Sequence, residues 1–180
     1  ELLSGDGVFV TELDGAALIA VVEGLGHGRE AHAAAKAATR FVRKEPSLDL
    51  SDLMRRVDAR LQGTVGAAVS LCTVDLASGA IRYVAVGNTV LRIEGDRSRR
   101  IGAMAGTVGS RLKVPRVETA SLASDEVLLI HTDGISERLT LEDYPQLRYQ
   151  SPETVVGKIL SRYGKTHDDA TVLAARFEDS

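Results

Sequence analysis

The sequence predicts an α+β fold, and three observations carry that reading. Helix-period patterns sit together at 29–43 and 50–61, with one more between Ser151 and Gly164. They do not alternate with strands as βαβ units would. Residues 67–93 read instead as successive strands joined by turns. Finally, the 180 residues show no internal repeat, linker or shift in composition, so residues 1–180 are expected to form one domain.

The elements follow in order. Val8-Phe9-Val10 and the run Ala16–Val22 flank Asp14-Gly15, a hairpin signal. The second run is continuously apolar, so both of its faces should be buried. Gly24, Gly26 and Gly28 then interrupt regular structure. Ala31, Ala34, Ala35, Ala38 and Val42 recur at helical spacing up to Arg43, and Pro46 ends the pattern. Leu50, Leu53, Met54, Val57 and Leu61 share one face of a second helix that Asp49 can cap. Strands are expected at 67–75, 80–86 and 89–93, with turns at Ser78-Gly79 and Gly95-Asp96. Residues 102–116 read as an irregular loop, 117–122 as a strand, and Val127–Ile130 as a buried strand. After a loop at 139–150, Ser151 caps a helix with Pro152 in its first turn. Val155, Val156, Ile159 and Leu160 form its apolar face, and Gly164 follows its end. A last strand spans 170–177.

Composition narrows the function. Aromatics are 4% with no Trp, and the pI is near 5.8, which argues against base stacking and phosphate-backbone binding. No apolar run approaches the roughly 20 residues of a membrane span. The N-terminus carries no basic-plus-apolar signal, and Cys72 is the only cysteine. The expectation is a cytoplasmic protein with neither nucleic acid nor membrane as a partner. Any metal would be held by oxygen, with Cys72 a core residue.

Four acids stand at strand ends or beside glycine: Asp6, Glu23, Asp133 and Asp168. Strand ends hold ligands rigidly while the adjoining loop stays open to solvent. Carboxylates gathered there repel unless a cation offsets them, and hard divalent ions prefer such oxygen donors. Each acid alone reads as a turn or a solvated loop. The ordered set, with Gly24-Leu25-Gly26-His27-Gly28 opening a helix, carries more.

That set resembles the type-2C (PPM) metal-dependent protein phosphatases, in particular the bacterial branch containing SpoIIE and RsbX. The matching pieces are Ser4-Gly5-Asp6, Val22-Glu23-Gly24-Leu25-Gly26-His27-Gly28, Gly87-Asn88, His131-Thr132-Asp133-Gly134-Ile135-Ser136-Glu137 and Asp168-Asp169-Ala170-Thr171. They span nearly the whole chain. The resemblance implies an αββα four-layer sandwich, two antiparallel sheets flanked by helix pairs, with two Mn or Mg ions at one edge. It implies that Glu23 bridges the ions and the Gly24 carbonyl binds one of them. Asp133 and Asp168 bind the other, and Asp6 holds metal-bound water directly or from behind. His27, Gly134, Asp169 and Thr171 would stand behind these ligands. The implied reaction is in-line attack of that water on a phosphoserine or phosphothreonine. The implied substrate is a phosphorylated regulatory protein of the STAS (anti-sigma antagonist) type, within a stressosome or a sigma-factor circuit.

The family has Asp where this chain has Glu23. The extra methylene moves the carboxylate by about 1.5 Å, against a required ion separation of about 3.5–4 Å. A working enzyme is expected, with Glu23 able to impair it by weakening one metal or slowing catalysis. The alternatives are a silent pseudophosphatase that binds a partner, and a hydrolase of small phosphorylated metabolites. His27 reads either as a proton donor to the leaving oxygen or as a residue capping the helix. His131 and His167 could orient the acids or simply pack, and His32 reads as a surface residue. Arg97, Arg99 and Arg100 form a basic cluster that reads first as a solvated hairpin tip and second as a contact for an acidic partner or phosphate. Arg111, Lys113 and Arg116 lie in the irregular loop, where they could shape the mouth of the site.

Overall fold

The computed structural model describes residues 3–110 and 112–178, so Arg111 lies outside the described residues. In chain order the elements are β1 (Asp6–Leu13), β2 (Ala16–Gly24), α1 (Gly28–Lys44), α2 (Leu50–Leu61), β3 (Ala67–Asp75), β4 (Ala80–Val86), β5 (Val90–Glu94), β6 (Arg99–Gly102), β7 (Glu118–Ser121), β8 (Val127–His131), α3 (Pro152–Tyr163) and β9 (Val172–Arg176). The strands form two antiparallel sheets, ordered β1-β2-β3-β4-β7 and β6-β5-β8-β9.

The period-2 alternation of strand side chains separates three apolar layers. On β2, Leu18, Ala20 and Val22 face α1 and α2, where they meet Ala38, Val42, Leu53 and Val57. Ile19 and Val21 point the other way and join Cys72, Ile81 and Tyr83 against Leu91, Ile93, Leu128 and Ile130 of the second sheet. The outer face of that sheet gives Val127 and Leu129 to Val155 and Ile159 of α3 and to Leu139 and Leu141. The continuous apolar run of β2 is thus a strand buried on both faces, inside a four-layer α+β sandwich.

Local chemistry explains the junctions. Asp14 (φ 47°) and Gly15 (φ 75°) turn the β1–β2 hairpin in the left-handed region expected of an Asp-Gly turn. The Asp49 side chain accepts the Asp52 amide, and the Ser151 side chain accepts the Thr154 amide, so both expected caps form.

Four expectations are corrected. The second sheet carries one flanking helix among the described residues, α3, where helix pairs were expected on both sides. Only Val155 and Ile159 of α3 are buried, and Leu160 is 38% exposed, because one helix over a sheet edge buries a narrow stripe. Gly164 has φ −64°, so it does not end α3 in the left-handed conformation. Its lack of a side chain serves packing, since a Cβ would sit 2.6 Å from the Leu160 carbonyl oxygen. Arg99 and Arg100 belong to strand β6, and Arg99 pairs with Glu126 at 2.6 Å.

Candidate active site

The two sheets bring acids to one common edge. Asp6 opens β1, Glu23 lies near the end of β2, and the antiparallel register makes them direct cross-strand partners. Asp133 follows β8 by two residues, and its backbone N–H donates to Glu23 Oε2 at 3.5 Å. Asn88, in the turn between β4 and β5, joins the two sheets. Its amide donates to Asp133 Oδ2 at 2.6 Å and to Glu23 Oε1 at 3.3 Å. The neighbouring Thr89 hydroxyl is buried and pairs with Ser70 at 2.6 Å, and Ser70 pairs with Tyr83 at 2.7 Å. The turn that carries Asn88 is therefore anchored in the inter-sheet core.

Asp6 is held from the second sheet. The fully buried Thr132 hydroxyl donates to Asp6 Oδ2 at 3.0 Å, and its oxygen accepts the Thr171 amide at 3.0 Å. Asp6 Oδ1 is buried without a partner among the described residues. Asp169 Oδ2 accepts the Gly5 amide at 2.6 Å and so ties the far end of the chain to β1. Two glycines permit these close approaches. A Cβ on Gly24 would overlap the Ala31 carbonyl in the first turn of α1, and one on Gly134 would overlap the Asp169 carbonyl.

Burial, followed by repulsion from Asp133, pushes Glu23 up to about 7. Asp6 is raised as well, chiefly by burial, with Asp169 and Asp168 adding repulsion. The edge is therefore a strained concentration of negative charge. Among the described residues, no group of three or more His, Cys, Asp or Glu side chains converges closely enough to hold an ion. The Asn88 amide stands between Glu23 and Asp133. The donor set nonetheless fits a hard divalent ion. It offers oxygen ligands, an orphaned buried oxygen on Asp6, and an acid pair whose repulsion a cation would relieve.

Asp6, Glu23, Asp133, Asp169 and Thr171 thus meet at one edge, with Gly24 and Gly134 packed beside them. Asp168 is exposed and makes no hydrogen bond among the described residues, although its charge reaches Asp6. His27 occupies the N-cap position of α1 without a side-chain cap bond, so capping does not explain it. His32 is half-buried, not a free surface residue, and its Nδ1 donates to the Ser4 carbonyl at 2.8 Å. His131 is buried. Its Nδ1 donates to the Thr132 carbonyl at 2.9 Å, Nε2 has no partner among the described residues, and burial lowers its pKa. Cys72 is buried and pushed up to about 12, so it supplies no thiolate. Lys113 and Arg116 line a hollow with Met104 and Val114 that contains none of these acids.

Sequence reasoning did not assign Asn88 or Thr132 to the site. Both were visible inside motifs, Gly87-Asn88 and Thr132-Asp133. A neutral side chain that bridges two acids has no signature of its own, because its role depends on a fold that places Glu23 and Asp133 on either side of it.

The family model for stage II sporulation protein E (SpoIIE) matches residues 14–178. The chain belongs to the SpoIIE family. This makes it a PPM-type protein serine/threonine phosphatase of the regulatory branch. RsbX of Bacillus subtilis (strain 168), a phosphoserine phosphatase, is 24% identical over 136 residues, covering 74% of this chain and 68% of RsbX. A structure from a bacterial stressosome adapted to control secondary messenger signalling superposes with a TM-score of 0.86 at 30% identity, covering 98% of this chain and 93% of that one. RsbX in complex with magnesium superposes with a TM-score of 0.81 at 23% identity, covering 97% of this chain and 88% of that one. These relatives share the two-sheet sandwich of this chain. No helix of the described residues is long and apolar enough to cross a membrane.

Proposed function

We propose that this SpoIIE-family chain hydrolyses phosphoserine or phosphothreonine on a regulatory protein of the STAS type, in a stressosome or sigma-factor circuit. The observation that carries the proposal is the meeting of Asp6, Glu23 and Asp133 at one edge, bridged by Asn88. The magnesium-bound RsbX relative and the stressosome relative support the metal and the partner class. We assign Glu23, the Gly24 carbonyl, Asp133 and Asp168 as ligands of two Mn or Mg ions, with Asp6 beside them. Divalent ions bound there would supply an acidified water nucleophile and offset phosphoryl charge.

The chain's own residues do the positioning. Thr132 fixes one oxygen of Asp6 and leaves Oδ1 free to accept from the nucleophile or to bind an ion. Asn88 keeps Glu23 and Asp133 at a set separation and so orients both acids. Asp169 locks the 168–171 segment to Gly5. His27, exposed at the start of α1, is free to donate a proton to the leaving oxygen. Residues 1–180 act as one phosphatase domain, a reading supported by the Gly5–Asp169 tie between the two ends. A reducing cytoplasm suits a chain whose one cysteine is buried.

The test is hydrolysis of a phosphoprotein panel and a phosphometabolite panel with Mn by wild type, Glu23→Asp and Asp133→Asn. We expect phosphoprotein turnover in the wild type and its loss in Asp133→Asn. Silence in the wild type with activity in Glu23→Asp would make the natural chain a partner-binding module. Preference for metabolites would overturn the protein substrate.

A further inference from the structure

A cleft of about 390 Å³ opens directly from Asn88 and Asp133. It lies beside the outer face of β5 and β6, where Arg92 and His131 are buried and Arg100 is exposed. The cross-strand pairs Arg92↔Arg100 and Val90↔His131 put Arg92, Arg100 and His131 on that face, while α3 packs against β9 on the far side of β8. Arg92 is already neutralised by Glu94 at 2.6 Å. Arg100 and Lys165, which also line the cleft, are exposed and form no ion pair among the described residues. The Lys165 backbone N–H donates to the Gly134 carbonyl at 2.8 Å, which holds that residue against the acid edge. The space exceeds the needs of a phosphoryl group and falls in the size range of sites that enclose whole ligands. The one acid lining it besides Asp133 is Glu137.

We propose that this cleft is a specificity subsite for an acidic phosphopeptide segment. The phosphoryl group would sit at Asp133 and Asn88, and a carboxylate side chain next to the phosphoserine would pair with Arg100 and Lys165. The proposal rests on the phosphatase reading of the edge and adds what that edge selects. Two free cations beside a cluster of acids supply the complementary charge. They draw in an anionic segment that the bare edge would repel, and their effect weakens with salt.

The experiment uses the full chain with two phosphoserine peptides, one flanked by Asp or Glu and one with those residues replaced by Gln. Binding is read by fluorescence anisotropy at low and high salt, and turnover is read separately with Mn. We expect the acidic peptide to bind about tenfold more tightly, with each of Arg100→Gln and Lys165→Gln removing about threefold. The double charge reversal Arg100→Glu/Lys165→Glu should favour the Gln peptide, with thermal unfolding confirming that it folds. Equal binding of the two peptides by wild type, or discrimination that survives the reversal, would overturn the subsite. Absence of Mn-dependent turnover, with binding discrimination intact, would instead strike the phosphatase reading and leave the subsite standing.

Discussion

The outer faces of the two sheets are built from similar strands and used differently. The first sheet is roofed by α1 and α2, whose Ala38, Val42, Leu53, Met54, Val57 and Leu61 are fully buried. Among the described residues the second is roofed by one helix, α3, with Leu139, Leu141 and Leu147 of the preceding loop; α3 buries Val155 and Ile159, and the outer face of β5 and β6 carries the buried Arg92 and Glu94 and the exposed Arg100. The face under α1 and α2 is covered chiefly by apolar side chains, and the face under α3 also buries Arg92, Glu94 and His131 on the way to the acid edge. Substitutions on the two sides should therefore separate into different readouts.

The largest separation is expected at the edge itself. Asp133→Asn keeps the shape and the Asn88 contact but removes a charged oxygen ligand. It should lower Mn-dependent phosphatase turnover about a thousandfold, while its urea midpoint stays at or above that of wild type because a repulsive charge is gone. A stability loss matching the loss of turnover would place Asp133 in the scaffold. On the covered face, Leu53→Ala opens a cavity beneath α2 and should cost about 2–5 kcal/mol in urea unfolding. Leu160→Ala on α3, at a position 38% exposed, should cost under about 1 kcal/mol. Equal costs would erase the contrast between the two roofs.

Most of the covered side was legible in the sequence, because helical period, Ala-rich packing and the Asp49 cap all point the same way there. The boundaries of α2 and of strands β3 and β4 match the expected residues. The side under α3 was less legible. β6 is four residues of Arg-Arg-Ile-Gly, whose charges read as a solvated tip, and only its pairing with β5 makes it a strand. Leu160 matches the apolar period of α3, yet no second helix among the described residues covers it. At the edge, acids and glycines were visible as charged residues at the ends of apolar runs. Asn88 and Thr132 were not, because their function lies in distances between strands remote in sequence. Asp168 and Asp169 are adjacent exposed acids, and sequence could not say that Asp169 is the one that accepts the Gly5 amide.

The acid edge should also leave a signature in stability without cations. Glu23 has an ordinary value of 4.5 and is raised to about 7 in the folded chain, and Asp6 is raised too. A group raised on folding binds its proton more tightly in the native state. Its contribution to stability is therefore full below about pH 4.5 and is lost as pH rises through about 7. With chelator present, the melting temperature should fall across that window. Saturating Mg or Mn should reverse the fall by binding the ionised native state. Glu23→Gln should flatten the chelator curve, and an unchanged slope in that variant would remove Glu23 as its source. Asn88→Ala deletes the neutral bridge, so the Mn concentration for half-maximal activity should rise about tenfold, as for other groups that orient ligands.

The smallest effects test the two roofs at their helix caps. Asp49→Ala and Ser151→Ala each delete one side-chain acceptor for an orphan amide, and each should cost about 1 kcal/mol. The costs should be distributed differently. α2 is held by five buried side chains, Leu50, Leu53, Met54, Val57 and Leu61, so losing Asp49 should lower global stability without freeing the helix. α3 has two, Val155 and Ile159, so losing Ser151 should let its first turn open locally. Amide hydrogen exchange separates the cases. Faster exchange confined to 152–156 in Ser151→Ala, with a uniform change in Asp49→Ala, would locate the looser roof on the side that carries the cleft. Local opening of both helices would mean that the number of buried anchors does not set how firmly each roof is held.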